Sequence, residues 1–363
     1  MLEINNNTDE SKKTLYVRCK LPQQLIVAIL REHNNVFERR NIVNIKFGLS
    51  EILAASILSI LCINPAIGAD WPDRPIRIII PWSPGGSTDI VGRIIAPDMS
   101  KKLKQQVIID NRPGAGSIVG LQLTGQAPAD GYTFMLTSTG YGFLIQKTNV
   151  DLVNTLDPTA LVGVADSALV VHPSLPVSTV KELIALAKQR PGKLNYSSSG
   201  IGGFPHMNTE LFKLMTGVNM VHVPFKGGGP AIADTVAGHT QIHLGSLPTE
   251  MAHIRAGKLK VLAVGGKKRN PALPDAPTIS ETVPGYVTFI WYGLFAPKNT
   301  PTNLIARMNA AVSTTAMSPE IMKKLDAQGV ESSTMPPAEF DKFMRDETKK
   351  WLDVIQRAGI KAD

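Results

Sequence analysis

The sequence predicts an α/β protein built as two lobes around a cleft. Three observations predict it. From residue 76 onward, short apolar runs alternate with stretches of helical period. Four loops rich in glycine, serine or threonine each follow one of those runs. After "FIWYGLFAP" (289–297) the pattern turns to long helices, which reads as a return to the first lobe. At 363 residues the chain is long enough for two domains.

The elements follow in order. "IRIIIP" (76–81) is a buried strand. "TDIVGRIIAPDMSKKL" (88–103) is a helix with Thr88 or Asp89 near its N-cap. "QQVIIDN" (105–111) is a strand, "GSIVGLQLTGQA" (116–127) a helix, and "YTFMLTST" (132–139) a third strand. "ALVVHP" (168–173) is a strand. "TVKELIALAKQR" (179–190) is a helix stopped near Pro191-Gly192, and a strand into "SSSG" follows. Next come a helix in "HMNTELFKLMTG" (206–217), a strand in "MVHVPF" (220–225) and a helix in "GPAIADTVAGH" (229–239). Strands in "TQIHLGS" (240–246) and "LKVLAVGG" (259–266) complete this half. Alternation of this kind implies parallel pairing through right-handed crossovers. At the end, "PTNLIARMNAAVSTTAM" (301–317) opens with proline at a helix start. "AEFDKFMRDETKKWLDVIQRAG" (338–359) sets Phe340, Phe343, Met344, Trp351 and Ile355 on one stripe for packing. Crossings near 170 and 290 divide the chain into a discontinuous lobe, 70–171 plus 290–363, and a second lobe, 172–289.

Residues 1–69 differ from the rest. Arg39, Arg40 and Lys46 flank an apolar stretch, 47–63, interrupted only by Glu51, and Ala66-Ile67-Gly68 supplies small residues at its exit. That is the pattern of a signal peptide cleaved near 68–69, so the expected location is the periplasm. Both cysteines, Cys19 and Cys62, fall in this leader, leaving the mature chain without a disulfide or a thiolate. The net charge of +8 is scattered. Lys267, Lys268 and Arg269 form the densest basic cluster and read as a solvated loop. With 6% aromatics, no nucleic-acid partner is expected.

The four loops are "PWSPGGSTD" (81–89), "TSTGYG" (137–142), "SSSGIGGFPH" (197–206) and "PFKGGGP" (224–230). In an open parallel sheet the strand C-termini share one edge, where ligands bind. The helices after the loops turn unpaired N–H groups and partial positive charge to that edge. Glycine admits close approach, and hydroxyls add donors, so the surface suits a small anion. Asp89 either caps its own helix or receives a ligand ammonium or hydroxyl. "GAGSIVG" (114–120) is one residue too long for a dinucleotide turn, and no G-x-x-x-x-G-K-[ST] occurs. His239 and His243 have metal-like spacing, but on a strand, and are read as structural. No cofactor, metal or catalytic residue is expected. Two rival readings remain: a sensory receptor serving a membrane histidine kinase, and a hydrolase using Ser199 and His206.

The loops and their surroundings resemble the Bug family, the extracytoplasmic receptors of tripartite tricarboxylate transporters. The resemblance rests on "RPIRIIIPWSPGGSTDIVGRIIA", "NRPGAGSIVG", "PADGYTFML", "PGKLNYSSSGIGGFPHMNTELF", "VHVPFKGGGPAIADTVAG" and "WYGLFAPKNTP". They occur in unchanged order over about residues 71–363. The resemblance implies a type II periplasmic binding protein fold closing over a small carboxylate. It implies inner-membrane partners, one large and one small transport subunit, for a receptor taken to be a monomer. Carried across by position, Trp82, Ser83, Gly85, Gly86, Ser87 and Asp89 surround the ligand, with Ser138 and Thr139 beside them. Ser199, Gly200 and His206 come from the second lobe, with Lys226 and Gly227 opposite. Asp110, Ser117, Phe225 and the stretch "IHLGSLPTEM" (242–251), with His243, depart from the common pattern.

Overall fold

The computed structural model describes residues 71–139 and 152–361. The leader, its cleavage site and both cysteines lie outside these residues, as do Gly140, Tyr141 and Gly142 of the second loop. Among the described residues no helix is long and apolar enough to cross a membrane.

Strand β1 (Ile76–Ile80) is four isoleucines and an arginine, buried on both faces as β-branched residues in a central strand should be. It lies between two parallel neighbours, β2 (Val107–Asn111) and β3 (Thr133–Ser138). Helix α1 (Ser87–Leu103) follows β1, and α2 (Ile118–Gly125) lies between β2 and β3. The cap of α1 is Gly86, in extended conformation, not Thr88 or Asp89. The Pro-Gly-Gly turn lets the helix start earlier, which carries the Asp89 carboxylate back onto the Gly85 N–H.

After the short α3 (Leu152–Thr155), the main difference from expectation is β4 (Leu156–Val171), 16 residues where the sequence suggested only its end. Pro158 and Gly163, residues that argue against a strand interior, hide its first half, and the register slips beside both. That half pairs antiparallel with β9 (Phe289–Pro297) and β10 (Val330–Ser332). The second half pairs antiparallel with β7 (Ile242–Ser246) and β8 (Lys260–Val264). The other wing is parallel: β5 (Asn195–Ser198) lies between β6 (Val221–Pro224) and β7. The sheet therefore runs β2-β1-β3-β9-β4-β7-β5-β6, with parallel wings and an antiparallel centre.

Helices α4 (Val180–Gln189), α5 (Phe204–Thr216), α6 (Gly228–Val236) and α7 (Leu247–Arg255) belong to the second wing. Helix α7 is absent from the sequence reading, although Ser246 before it, Pro248 in its first turn and Glu250 after that are start signals. Helices α8 (Thr302–Ala316), α9 (Pro319–Asp326) and α10 (Pro337–Ala358) close the chain, and α8 and α10 pack back on β4.

The apolar core is divided. One cluster gathers Ile78, Phe134, Leu294 and Val312 around β1, β3 and β9. Another gathers Leu183, Tyr196, Phe212 and Ile242 around β5 and β7. The stripe on α10 packs as its period requires: Phe340, Met344, Trp351 and Ile355 are buried against Trp291 and Phe295, with Phe343 at the margin. Each such side chain contributes roughly 1.5–3 kcal/mol on burial. Between the clusters, three chain segments are tied together. Ser167 Oγ and Thr288 Oγ1 are 2.6 Å apart. Gly265 donates its N–H to the Ser167 carbonyl and accepts from Thr288 N–H. A Cβ on Gly265 would stand 1.9 Å from Ser167 Oγ, so only glycine passes there.

Candidate functional site

Four helices begin at one cavity. Gly86 and Ser87 from the start of α1, Phe204 and Pro205 from α5, Gly228 from α6 and Ser246 and Thr249 from α7 all line it. None of the four starts has a side-chain cap bonded to its amides. Each N-terminus carries roughly half a positive charge, and its first-turn N–H groups, prolines excepted, need an outside acceptor. The cavity they share has a volume of about 30 Å³. No Lys, Arg, Asp or Glu lines this cavity among the described residues; His243 is its one titratable wall residue.

Hydroxyls and apolar surface complete the wall. Thr88 Oγ1 donates to Ser138 Oγ at 2.9 Å, and Ser246 Oγ and Thr249 Oγ1 are 2.9 Å apart. Thr139 Oγ1 accepts the Trp291 N–H. Ser199 Oγ stands so close to Gly203 that a Cβ there would lie 2.2 Å from it. Trp82, Phe204 and Ile290 supply the apolar side. The indole N–H of Trp82 is buried without an acceptor. Behind the wall, the buried Tyr292 phenol faces Ser87 and Ser246, and burial raises its pKa.

Above the cavity the loop after β1 meets the loop after β6. Ser83 Oγ donates to the Lys226 carbonyl. A Cβ on Gly227, whose φ is +143°, would fall 2.8 Å from Ser83 N, and one on Gly229 would fall 2.4 Å from the Pro84 carbonyl oxygen. The two backbones come this close because residues 227–229 are all glycine.

Of the sequence-predicted residues, Trp82, Gly86, Ser87, Ser138, Thr139 and Ser199 line the cavity. Ser83, Lys226 and Gly227 form the clasp above it, where Lys226 contributes its carbonyl and leaves its side chain exposed. Gly200, at φ +113°, gives its N–H to Ser198 Oγ. Asp89 is turned to its own chain, accepting from Gly85 N–H and pairing with Arg93 at 3.0 Å. Burial pushes its carboxyl up, but hydrogen bonds from Arg93, Gly85 and Asn111 outweigh that and hold it below the usual range. His206 lies beneath the third loop. Its Nδ1 accepts the Gly202 N–H and its ring stacks on His222, centroids 4.0 Å apart. Burial, aided by Lys213, lowers its pKa to about 4.

Thr88, Gly228, Phe204, Pro205, Ile290 and three residues of the β7–α7 junction, His243, Ser246 and Thr249, were not foreseen as wall residues. His239, by contrast, is exposed beside Asp234. His243 is wholly buried and Glu250 lies beside it, with 3.8 Å between Nε2 and Oε1. Burial lowers the imidazole to about 4, so the ring is neutral near pH 7, and pushes the Glu250 carboxyl well above its usual range. No cluster of metal-ligating side chains occurs among the described residues.

Comparison with known proteins gives consistent results. The family model described as tripartite tricarboxylate transporter family receptor matches residues 91–360. Protein BugT of Bordetella pertussis is 33% identical over 303 residues, covering 82% of this chain and 93% of that protein. The Rhodopseudomonas palustris protein Rpa4515, solved with adipate, aligns with a TM-score of 0.78 at 35% identity, over 80% of this chain and 99% of that one. MatC of the same organism, solved with malate, aligns with a TM-score of 0.75 at 28% identity, over 78% and 100%.

Proposed function

Because this chain belongs to the tripartite tricarboxylate transporter receptor family, we propose that its cavity captures a small carboxylate for a transporter of that type. One observation carries the reading: four uncapped helix N-termini converge on a cavity whose wall, among the described residues, holds no charged side chain. Partial charges held in place by the backbone accept a carboxylate without the desolvation cost of burying a lysine or arginine. The hydroxyls of Ser87, Ser138, Thr139 and Ser199 add donors, and waters can bridge to the rest.

The protein is an extracytoplasmic solute receptor, and it works by capture and release. In the lobe assignment we adopt, 70–171 plus 290–363 against 172–289, wall residues come from both lobes. A ligand touching both stabilises the state in which the 83–86 and 226–229 loops meet, by its differential affinity for that state. The closed monomer is then the form read by one large and one small inner-membrane subunit, and residues 1–69 serve as the export signal. MatC with malate and Rpa4515 with adipate support the ligand class, a small carboxylate.

The test is thermal and calorimetric titration of the mature chain with mono-, di- and tricarboxylates, amino acids and aromatic acids. A ligand at a hundredfold excess over Kd is expected to add about 2.7 kcal/mol of stability. A folded protein that answers to none of these classes would refute the proposal.

A further inference from the structure

The groups that hold a carboxylate leave the cavity's histidine unused. His243 Nδ1 lies 2.8 Å from Ser197 Oγ and 3.1 Å from the Ser197 carbonyl. A carbonyl can only accept, so the ring hydrogen sits on Nδ1. Ser197 is bonded in turn to Thr235, and Thr235 to Thr240, a buried relay that fixes the ring. The other nitrogen, Nε2, is then a bare acceptor. It is buried and has no hydrogen-bond partner. Glu250, at 3.8 Å, is too distant for a hydrogen bond.

The Glu250 carboxyl is placed with equal care. Its Oε1 accepts the Gly245 N–H at 2.9 Å, and its Oε2 has no partner. Gly245 leaves the gap in which the two groups face each other: a Cβ there would be 2.3 Å from Nε2 and 2.8 Å from Oε1. The Tyr292 phenol is the other titratable group that senses Glu250. A buried acceptor in a cavity wall with nothing to accept from is costly, and a guest that donates to it removes the cost.

We propose that His243 is the specificity-determining residue of this receptor, its Nε2 accepting a hydrogen bond from a hydroxyl or ammonium on the bound carboxylate. The inference rests on the carboxylate reading above and narrows it. The preferred ligand is a hydroxy- or amino-carboxylate, and the unsubstituted acid of the same length binds less well. The two donors differ in their effect on Glu250. An ammonium favours the ionised form of that carboxyl, and a hydroxyl brings no charge to do so.

Calorimetry on three matched sets tests this: succinate, malate and aspartate; glutarate, 2-hydroxyglutarate and glutamate; propionate, lactate and alanine. In the set of fitting length, the wild type is expected to bind a donor-bearing member at least about tenfold more tightly than the bare acid. His243→Leu is expected to bring that ratio within about twofold, whatever its effect on affinity for the bare acid; His243→Gln, which retains an acceptor, restores part of the ratio. Dependence of the heat on buffer ionisation separates an ammonium ligand from a hydroxyl ligand. A wild type without the preference, or a folded His243→Leu that retains it or loses all members equally, overturns the proposal while leaving the receptor reading intact. A wild type that binds no carboxylate overturns the receptor reading itself. Imidazole nitrogen NMR of the wild type needs no variant: the Nε2 resonance moves with the donor-bearing ligand and not with the bare acid, and a resonance indifferent to both refutes the proposal.

Discussion

Replacing Gly229 by alanine separates closure from folding. The new Cβ would lie 2.4 Å from the Pro84 carbonyl oxygen, with Gly85 C and Cα at 3.2 and 3.4 Å. Side-chain contacts essentially begin at 3.0 Å, so the two loops must part by at least about 0.6 Å. Both partners are backbone, and no rotamer change relieves the contact. Overpacking of this kind costs about 1–3 kcal/mol. The cost falls only on the state in which the loops touch, because each loop by itself has room. Affinity should therefore drop about 5- to 150-fold. Stability without ligand should hold or rise, since alanine in α6 is better than glycine by up to about 1 kcal/mol. Calorimetric titration paired with thermal melting of the free protein reads both quantities. Wild-type affinity in the variant, or a fall in affinity matched by a fall in melting temperature, would show that the clasp does not control closure.

Two further predictions concern residues that the geometry moves out of the wall. Asp89→Asn removes the pair with half-exposed Arg93 and loosens the Gly85 turn; a stability loss of about 1 kcal/mol or less is expected, together with an equal loss of affinity for plain and amino-bearing carboxylates. A selective loss for amino acids would put Asp89 back against the ligand. His206 sets an acid limit. Its folded pKa of about 4 lies below the usual 6.5, so the unfolded chain binds the extra proton and stability falls as pH drops from about 6.5 to 4, by on the order of 3 kcal/mol. His243 acts in the same direction, and Glu250, whose carboxyl burial pushes up, acts in the opposite one. His206→Gln should flatten the slope between pH 4.5 and 6.5 in urea unfolding; an unchanged slope would contradict the assignment.

Loop chemistry was the legible part of this site. Turns such as "PWSPGGSTD" and "SSSGIGG" announce themselves because glycine and serine have few other uses after an apolar strand. The direction of a side chain is not announced. Asp89 and His206 stand on the right segments, yet one is claimed by Arg93 four residues on and the other by His222, 16 residues away and on another element. The β7–α7 junction was missed for a different reason. His243, Ser246 and Thr249 reach the wall only because α7 starts where the strand ends, and "SLPTEM" carries too little helical period to show that start. Strand β4 was cut short by Pro158 and Gly163, whose cost is met by bulges and by the two neighbours β9 and β10.

The tie among Ser167, Gly265 and Thr288 has a kinematic consequence. Where three segments pass side by side and are stitched at one height, twisting is resisted and bending is left as the soft motion. On the lobe division proposed above, such a joint swings about one line and returns to one seat, like a door leaf on paired pins. A receptor so jointed would offer its cargo through the same opening in the same attitude on each cycle, which is what a membrane gate of fixed orientation requires.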